Sequence, residues 1–172
     1  DIISIYPNPE IQSKDIEPSS GCQPHTVTIT ANTVNGNRYV WDYGDGTPPV
    51  TSNSPSVMHT YSDTGTYTIS VQAYSFLDCG DTVLLSDTVQ VYITPIADFS
   101  YEVNLSLEPI DGTVIFTNAS QHSETYVWDF GDGASSTETS PVYRYQDVNI
   151  FQVTLYAYNR YCADSIVKDV YV

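Results

Sequence analysis

The chain carries one aromatic motif twice. YVWDYGDG occupies residues 39–46 and YVWDFGDG occupies residues 126–133, so the copies differ only at Tyr43 and Phe130. A run of aromatic and β-branched residues that ends in Asp-Gly predicts a strand leading into a tight turn. Two copies of one motif indicate an internal repeat, and the repeat sets the domain organisation.

The residue types in the motif fit a strand that leads into a tight turn, each for a physical reason. Successive side chains of a strand point to opposite faces, so Trp41 is expected in the core, where an indole buries a large apolar area. Asp42 precedes the chain reversal, where a short carboxylate can accept backbone N–H bonds. Gly44 and Gly46 supply backbone angles that residues with a Cβ avoid. The second copy places the same residue types at Trp128, Asp129, Gly131, Asp132 and Gly133.

Alternating segments flank both motifs and predict strands. Residues 66–74 alternate fully, and one face is expected in the core: Tyr67, Ile69, Val71 and Ala73. Its counterpart in the second copy consists of Phe151, Val153, Leu155 and Ala157. Before the first motif, Val27, Ile29 and Ala31 are also expected to face the core. Residues 47–56 are expected to form a loop, and residues 82–93 are expected to form the closing segment of the first unit.

Several short strands with polar turns and no helical period argue for an all-β fold, with one sandwich per repeat. The predicted domains are residues 1–94 and 95–172, and residues 1–6 either close a preceding unit or begin the first strand. The junction near Pro95 is short, and a proline stiffens it. We therefore expect a rod-like pair with limited hinge freedom, cut from a longer array.

The motif resembles the signature of the PKD (polycystic kidney disease) domain, usually written W-D-F-G-D-G. That family also carries a Pro, then H-x-Y, and then G-x-Y before an alternating strand. The first copy matches with Pro55, His59-Thr60-Tyr61 and Gly65-Thr66-Tyr67. The second has Pro141, Tyr143-Arg144-Tyr145 and Ile150-Phe151, and so lacks the His and the Gly. The resemblance implies two tandem Ig-like β-sandwiches, with His59 bonding the backbone of a turn.

Composition excludes several classes of function. The net charge is −16 with five Lys and Arg residues, which opposes binding to nucleic acid or anionic membranes. No apolar run is long enough to insert into a membrane. The three histidines, His25, His59 and His122, lack the spacing of a metal pair, and we find no nucleophile motif or phosphate loop. We predict that the chain is not an enzyme and has no catalytic residues.

Calcium is the one cofactor that the sequence suggests, because that ion prefers carboxylate oxygens and some PKD domains of secreted collagenases bind it. The candidate ligands are Asp42, Asp45, Asp98, Asp129 and Asp132. The alternative is that these carboxylates cap turns or are solvated, so that no cofactor is needed.

The three cysteines are Cys22, Cys79 and Cys162. Cys22 precedes the strand at Val27 and Cys79 follows the strand that ends at Tyr74. PKD repeats of Bacteroidota surface proteins similarly have G-C-x-P near the start, as in Gly21-Cys22-Gln23-Pro24, and a Cys after the long strand. We predict a Cys22–Cys79 disulfide and an oxidising extracellular location. Cys162 is then expected to be a buried thiol, with pairing to another molecule as the alternative.

Three tyrosines are candidates for ligand contact: Tyr74, Tyr156 and Tyr158 lie on the strand face opposite the core. They could bind polysaccharide or an extracellular protein, or pack across strands on an exposed sheet. The sequence therefore favours a non-catalytic spacer in a secreted or cell-surface protein, with neighbouring domains of the same chain as partners. By analogy with the family, the parent protein would be a bacterial adhesin or a secretion- or gliding-associated protein of Bacteroidota. An adhesive module, which calcium could stabilise, is the alternative.

Overall fold

The computed structural model describes residues 7–76, 80–83, 87–103 and 112–172, with residues 80–83 described by their backbone. Every regular element in these ranges is a β-strand, which confirms the all-β class. The chain forms two compact units that divide between Tyr92 and Ile93, whereas the sequence placed the boundary between Thr94 and Pro95.

Unit 1 is a sandwich of β-strands. Its strands are β1 (Glu10–Glu17), β2 (Ser20–Cys22), β3 (His25–Val34), β4 (Arg38–Asp42), β5 (Val50–Ser52), β6 (Ser56–Tyr61), β7 (Gly65–Thr68), β8 (Ser70–Tyr74), β9 (Gly80–Val83) and β10 (Thr88–Tyr92). These strands pair antiparallel except for β2 and β10. One sheet has the order β1-β3-β6. The others have the orders β5-β4-β8-β9 and β2-β10-β7, in which β2 runs parallel to β10.

The predicted strand over residues 66–74 is two strands in the structure. It breaks at the fully buried Ile69, so that β7 pairs with β10 while β8 pairs with β4. The side-chain alternation continues through the break, which is why the sequence pattern did not show it.

The sequence did not predict β1, β2, β5 or β6 of unit 1. β1 has a register shift between Ile11 and Ser13, and this irregularity interrupts the period-two pattern that would have marked it as a strand. β5 lies inside the predicted loop and pairs with the motif strand β4. The strand predicted over residues 2–6 lies outside the described residues.

Unit 2 repeats the plan with fewer interruptions. Its strands are β11 (Phe99–Val103), β12 (Thr113–Asn118), β13 (Thr125–Asp129), β14 (Ser135–Ser136), β15 (Val142–Arg144), β16 (Ile150–Tyr158) and β17 (Ala163–Tyr171). They form two sheets, β11-β12-β15 and β14-β13-β16-β17. Here the long strand β16 is unbroken and pairs with both β13 and β17.

Each unit has its own core, built from the inward face of every long strand. In unit 1 the predicted set Val27, Ile29 and Ala31 is completely buried, and Tyr67 packs partly buried against the core. In unit 2 the core includes Phe99, Val114, Phe116, Val153, Leu155 and Val170. Trp41 and Trp128 are both completely buried.

Candidate functional site

The repeated motif forms a corner at the end of β4 and of β13. In unit 1 the amide of Gly44 donates a 2.9 Å hydrogen bond to Oδ1 of Asp42, and in unit 2 Gly131 donates an equal bond to Asp129. Gly44 has a φ of 74°, and a Cβ on it would lie 2.3 Å from the carbonyl oxygen of Thr68. The motif therefore requires glycine at this position for both its backbone angle and its close approach to the next strand.

Asp45 organises the corner of unit 1. Its Oδ1 accepts hydrogen bonds from the amide of Thr47 at 3.0 Å and from its hydroxyl at 2.6 Å. Its Oδ2 lies 2.7 Å from Nε2 of His59. Burial raises the pKa of Asp45, but the bonds from Thr47 and His59 outweigh this effect and hold the pKa below its ordinary value.

His59 bonds a side chain rather than the backbone of a turn, which corrects the expectation from the family pattern. Its ring stacks on Tyr43, with ring centroids 3.8 Å apart, and meets the edge of Tyr61 at 4.7 Å. This packing fixes the imidazole against Asp45. The H-x-Y spacing carried the signal for the contact between His59 and Tyr61, because the two side chains project from the same face of β6.

Tyr143 takes the place of His59 in unit 2. Its hydroxyl donates a 2.7 Å bond to Oδ2 of Asp132, and its ring stacks on Phe130 with centroids 4.0 Å apart. The bond to Asp132 raises the pKa of Tyr143. The corner of unit 2 thus keeps the same architecture without a histidine.

A buried tyrosine closes each corner. Tyr61 donates a 3.0 Å bond to the carbonyl of Tyr43, and Tyr145 donates a bond of the same length to the carbonyl of Phe130. Burial, together with the carboxylate of the nearby motif aspartate, raises the pKa of both phenols. These bonds tie the motif turn to the strand that follows it.

The candidate calcium ligands are all engaged within the protein. Asp42, Asp45, Asp129 and Asp132 bond the turns just described, and Asp98 accepts bonds from the amide of Phe99 and, at 2.6 Å, from Nζ of Lys168. Within the described ranges, no group of three or more His, Cys, Asp or Glu residues is placed to hold a metal ion.

Cys22 and Cys162 are each disulfide-bonded. The expectation that Cys162 is a free thiol is therefore wrong. The Cys22–Cys79 pairing stays a prediction, because Cys79 lies outside the described residues.

The candidate ligand-contact tyrosines lie in different surroundings. In unit 1 the guanidinium of Arg38 lies 4.0 Å from the ring centroid of Tyr74, whose hydroxyl bonds Oε1 of Gln72 at 3.1 Å. In unit 2, Tyr156 and Tyr158 both face outward from β16, and Tyr156 is 39% exposed. The structure thus brings Tyr156 and Tyr158 together on one sheet face.

Family comparisons agree with this architecture. Models of the PKD domain match residues 15–75 and residues 94–171. The chain belongs to the PKD domain family. PKD domains are extracellular structural and adhesive modules without catalytic activity, and they mediate protein or carbohydrate interactions in multidomain proteins. Across the described residues, no helix is long and apolar enough to cross a membrane.

Similar proteins include human Polycystin-1, which is 29% identical over 97 residues. That match covers 55% of this chain and 2% of Polycystin-1. The PKD1 domain of Vibrio anguillarum Epp is 24% identical, covers 46% of this chain and 93% of that domain, and has a TM-score of 0.40. The PKD1 domain of the Vibrio cholerae metalloprotease PrtV is 28% identical, with coverages of 46% and 98% and a TM-score of 0.41.

Proposed function

We propose that the chain is a non-catalytic spacer in a large secreted or cell-surface protein. In this role the two PKD domains hold an adhesive, catalytic or anchoring part of the parent protein at a distance from the cell. The observation that carries the proposal is that the chain folds as two PKD units in tandem, each compact and each with its own buried core.

The residues around the junction are bonded to folded elements. The carbonyl of Tyr92, at the end of β10, accepts a 2.9 Å bond from the amide of Gln23 in unit 1. The next carbonyl, that of Ile93, accepts a 2.9 Å bond from Nδ2 of Asn159 in unit 2. Pro95 then restricts φ within the connection.

The following residues are fixed in the same way. Ile96 and Gln121 exchange two backbone bonds of 3.0 and 2.9 Å, and the amide of Ala97 donates a 2.8 Å bond to Oδ2 of Asp164. These bonds fix the first residues of unit 2, which begins at Ile93, to the rest of that unit.

Asn159 is the residue on which this bonding depends most. Its Oδ1 accepts bonds from the amides of Tyr161 and Cys162, at 3.0 and 2.8 Å. Its Nδ2 bonds the carbonyl of His122 at 3.1 Å as well as that of Ile93. One side chain thus shapes the turn after β16 and holds the connecting segment to it.

We further propose that the parent protein is a bacterial adhesin or a secretion- or gliding-associated protein of Bacteroidota, with neighbouring domains of the same chain as partners. The support is the similarity of Gly21-Cys22-Gln23-Pro24 to repeats of such surface proteins, together with the acidic, disulfide-bonded character of the chain. Mass spectrometry of the surface fraction of a producing cell tests this location.

The spacer proposal is tested by backbone ¹⁵N relaxation of the chain. We expect heteronuclear NOE values at Ile93, Ile96 and Ala97 that match those of the strands, and a clear fall at Ile93 in Asn159→Ala. Asn149→Ala is the control, because Oδ1 of Asn149 bonds the amide of Ile150 and lies outside the junction. Low NOE values at these three residues in the unsubstituted chain would rule out the proposal.

Calcium stabilisation stays a prediction for the five candidate carboxylates. Thermal unfolding in millimolar calcium and in chelator tests it: a higher melting temperature in calcium that Asp45→Asn or Asp132→Asn abolishes would locate an ion at the motif turns.

A further inference from the structure

We propose that Asn35 is a site of spontaneous covalent modification, at which the side-chain amide is converted to aspartate and isoaspartate. Asn35 and Gly36 lie in the connection between β3 and β4. An asparagine followed by glycine is the pair most open to this reaction, because glycine has no side chain to hinder attack by its own amide nitrogen. The inference goes beyond the spacer function and does not depend on it.

The reaction consumes water and needs no other reactant. The amide nitrogen of Gly36 attacks Cγ of Asn35, so that a C–N bond forms, the Cγ–Nδ2 bond breaks and ammonia leaves with the proton of the Gly36 amide. The product is a succinimide ring. Water then opens the ring at either carbonyl carbon, which gives aspartate or isoaspartate with a free carboxylate.

Both reacting groups are accessible in the folded chain. The side chain of Asn35 is exposed and makes no hydrogen bond within the described residues. The amide of Gly36 likewise donates to no acceptor in the part of the chain that the structure describes. The attacking nitrogen therefore has no protein hydrogen bond to break before it reaches Cγ.

The backbone is held on either side of the pair but not at the pair itself. The hydroxyls of Thr33 and Tyr39 share a 2.6 Å hydrogen bond, and the amide of Asn37 donates a 2.8 Å bond to the carbonyl of Tyr74. Asn35 lies in the left-handed region, with a φ of 61°, which a residue with a Cβ adopts at a cost. The turn therefore loses little by rotating at Asn35 toward the geometry that ring closure requires.

The two motif turns also contain an Asp-Gly pair each, but there the reactive carboxylate is held. Both oxygens of Asp45 accept hydrogen bonds, as described above. Asp132 accepts bonds from the amide of Ala134 at 3.0 Å and from the hydroxyl of Tyr143 at 2.7 Å. Attack at either position requires the motif corner to open first, so the structure selects Asn35 among these pairs.

Packing requires the glycine that makes Asn35 reactive. A Cβ on Gly36 would lie 2.5 Å from Oγ1 of Thr33 and 2.7 Å from the hydroxyl of Tyr39. A larger residue would therefore displace the hydrogen bond between these two hydroxyls. The fold thus retains a reactive pair that it does not restrain.

The modification changes both the charge and the length of the connection. A carboxylate in place of the amide makes the chain one unit more negative than its present net charge of −16. Isoaspartate also adds one carbon to the main chain between β3 and β4, which belong to different sheets. We expect the modified chain to elute later from an anion exchanger and to exchange the amide hydrogen of Asn37 faster.

Peptide mapping of the whole chain during storage at neutral pH and physiological temperature tests the proposal. Trypsin releases residues 15–38, and fragment spectra assign the position of any change. We expect a gain of about 1 Da at Asn35 that accumulates about tenfold faster than at Asn32 or Asn37 of the same peptide. The rate should rise with pH, because the attacking nitrogen has to lose its proton.

Two variants and a synthetic peptide complete the experiment. Asn35→Gln should abolish the change, because its longer side chain closes a larger ring slowly, whereas the matched control Asn37→Gln should leave the rate at Asn35 unaltered. The peptide of residues 15–38 gives the rate without the fold, and the folded chain should react at no less than about a tenth of that rate. The proposal is overturned if Asn35 stays unmodified in the folded chain while the peptide reacts, or if Asn32 or Asn37 reacts as fast as Asn35.

Discussion

At the scale of single residues, the two buried tryptophans differ in one hydrogen bond. Nε1 of Trp128 donates a 2.9 Å bond to the carbonyl of Glu138, whereas Nε1 of Trp41 has no partner among the described residues. A buried donor without a partner costs about 1–3 kcal/mol.

Trp128→Phe should therefore destabilise unit 2 by about 1 kcal/mol more than Trp41→Phe destabilises unit 1, because only the first removes a hydrogen bond along with apolar area. Amide hydrogen exchange in β4 and β13 measures the stability of each unit within the whole chain. Equal losses in the two units would show that the indole of Trp41 is bonded in solution.

His59 in unit 1 and Tyr143 in unit 2 occupy equivalent positions in the two corners, and this difference gives a second prediction for single residues. His59→Tyr should keep both the ring stacking and the bond to Asp45, as Tyr143 does with Asp132. His59→Phe keeps the stacking alone and should be less stable than His59→Tyr by about 1.5–3 kcal/mol, the usual size for a bond to a charged group. Urea unfolding followed by circular dichroism decides between them, and equal stability of the two variants would mean that the Asp45 contact contributes nothing.

At the scale of elements, the buried tyrosines that close the corners predict an alkaline limit to stability. Burial raises the pKa of Tyr61 and Tyr145 above the ordinary value of about 10. Their contribution is therefore fully present below about pH 10 and is lost as the pH rises through the raised value in the folded state. The melting temperature should fall between pH 9 and pH 11.5, and it should fall less in Tyr145→Phe. An unchanged pH dependence in that variant would exclude Tyr145 as a cause.

Sequence patterns predicted those elements whose side chains alternate without interruption. The all-β class and the inward faces around Ile29, Val71 and Leu155 followed from alternation, since one face of each strand is buried. β1 escaped prediction because its register shift breaks the period, and the split of β7 from β8 escaped it because the alternation continues across Ile69. Partners that depend on tertiary packing, such as Asp45 for His59 and Glu138 for Trp128, have no local signal in the sequence.

At the scale of the whole molecule, disulfide bonding is a covalent constraint on the chain. Cys22 and Cys162 are both bonded, although Cys162 was expected to be a free thiol. Peptide mapping without reduction assigns the bond. A cross-linked peptide that joins Cys22 to Cys79 would support the predicted pairing, whereas a cross-linked peptide that contains Cys162 would contradict it. The predicted disulfide between Cys22 and Cys79 would close a loop of 58 residues. A loop of that length contributes about 4 kcal/mol in the chain-entropy model, so reduction should lower the melting temperature by many degrees.

The central claim is that the two PKD domains form a stiff spacer, and its most direct test is the rotational correlation time of each domain, measured by ¹⁵N relaxation on the intact chain. The spacer proposal predicts that both domains tumble with the correlation time of a single body of 19.1 kDa. Separate, shorter correlation times in the unsubstituted chain, each typical of an independent domain of roughly half that mass, would contradict the account.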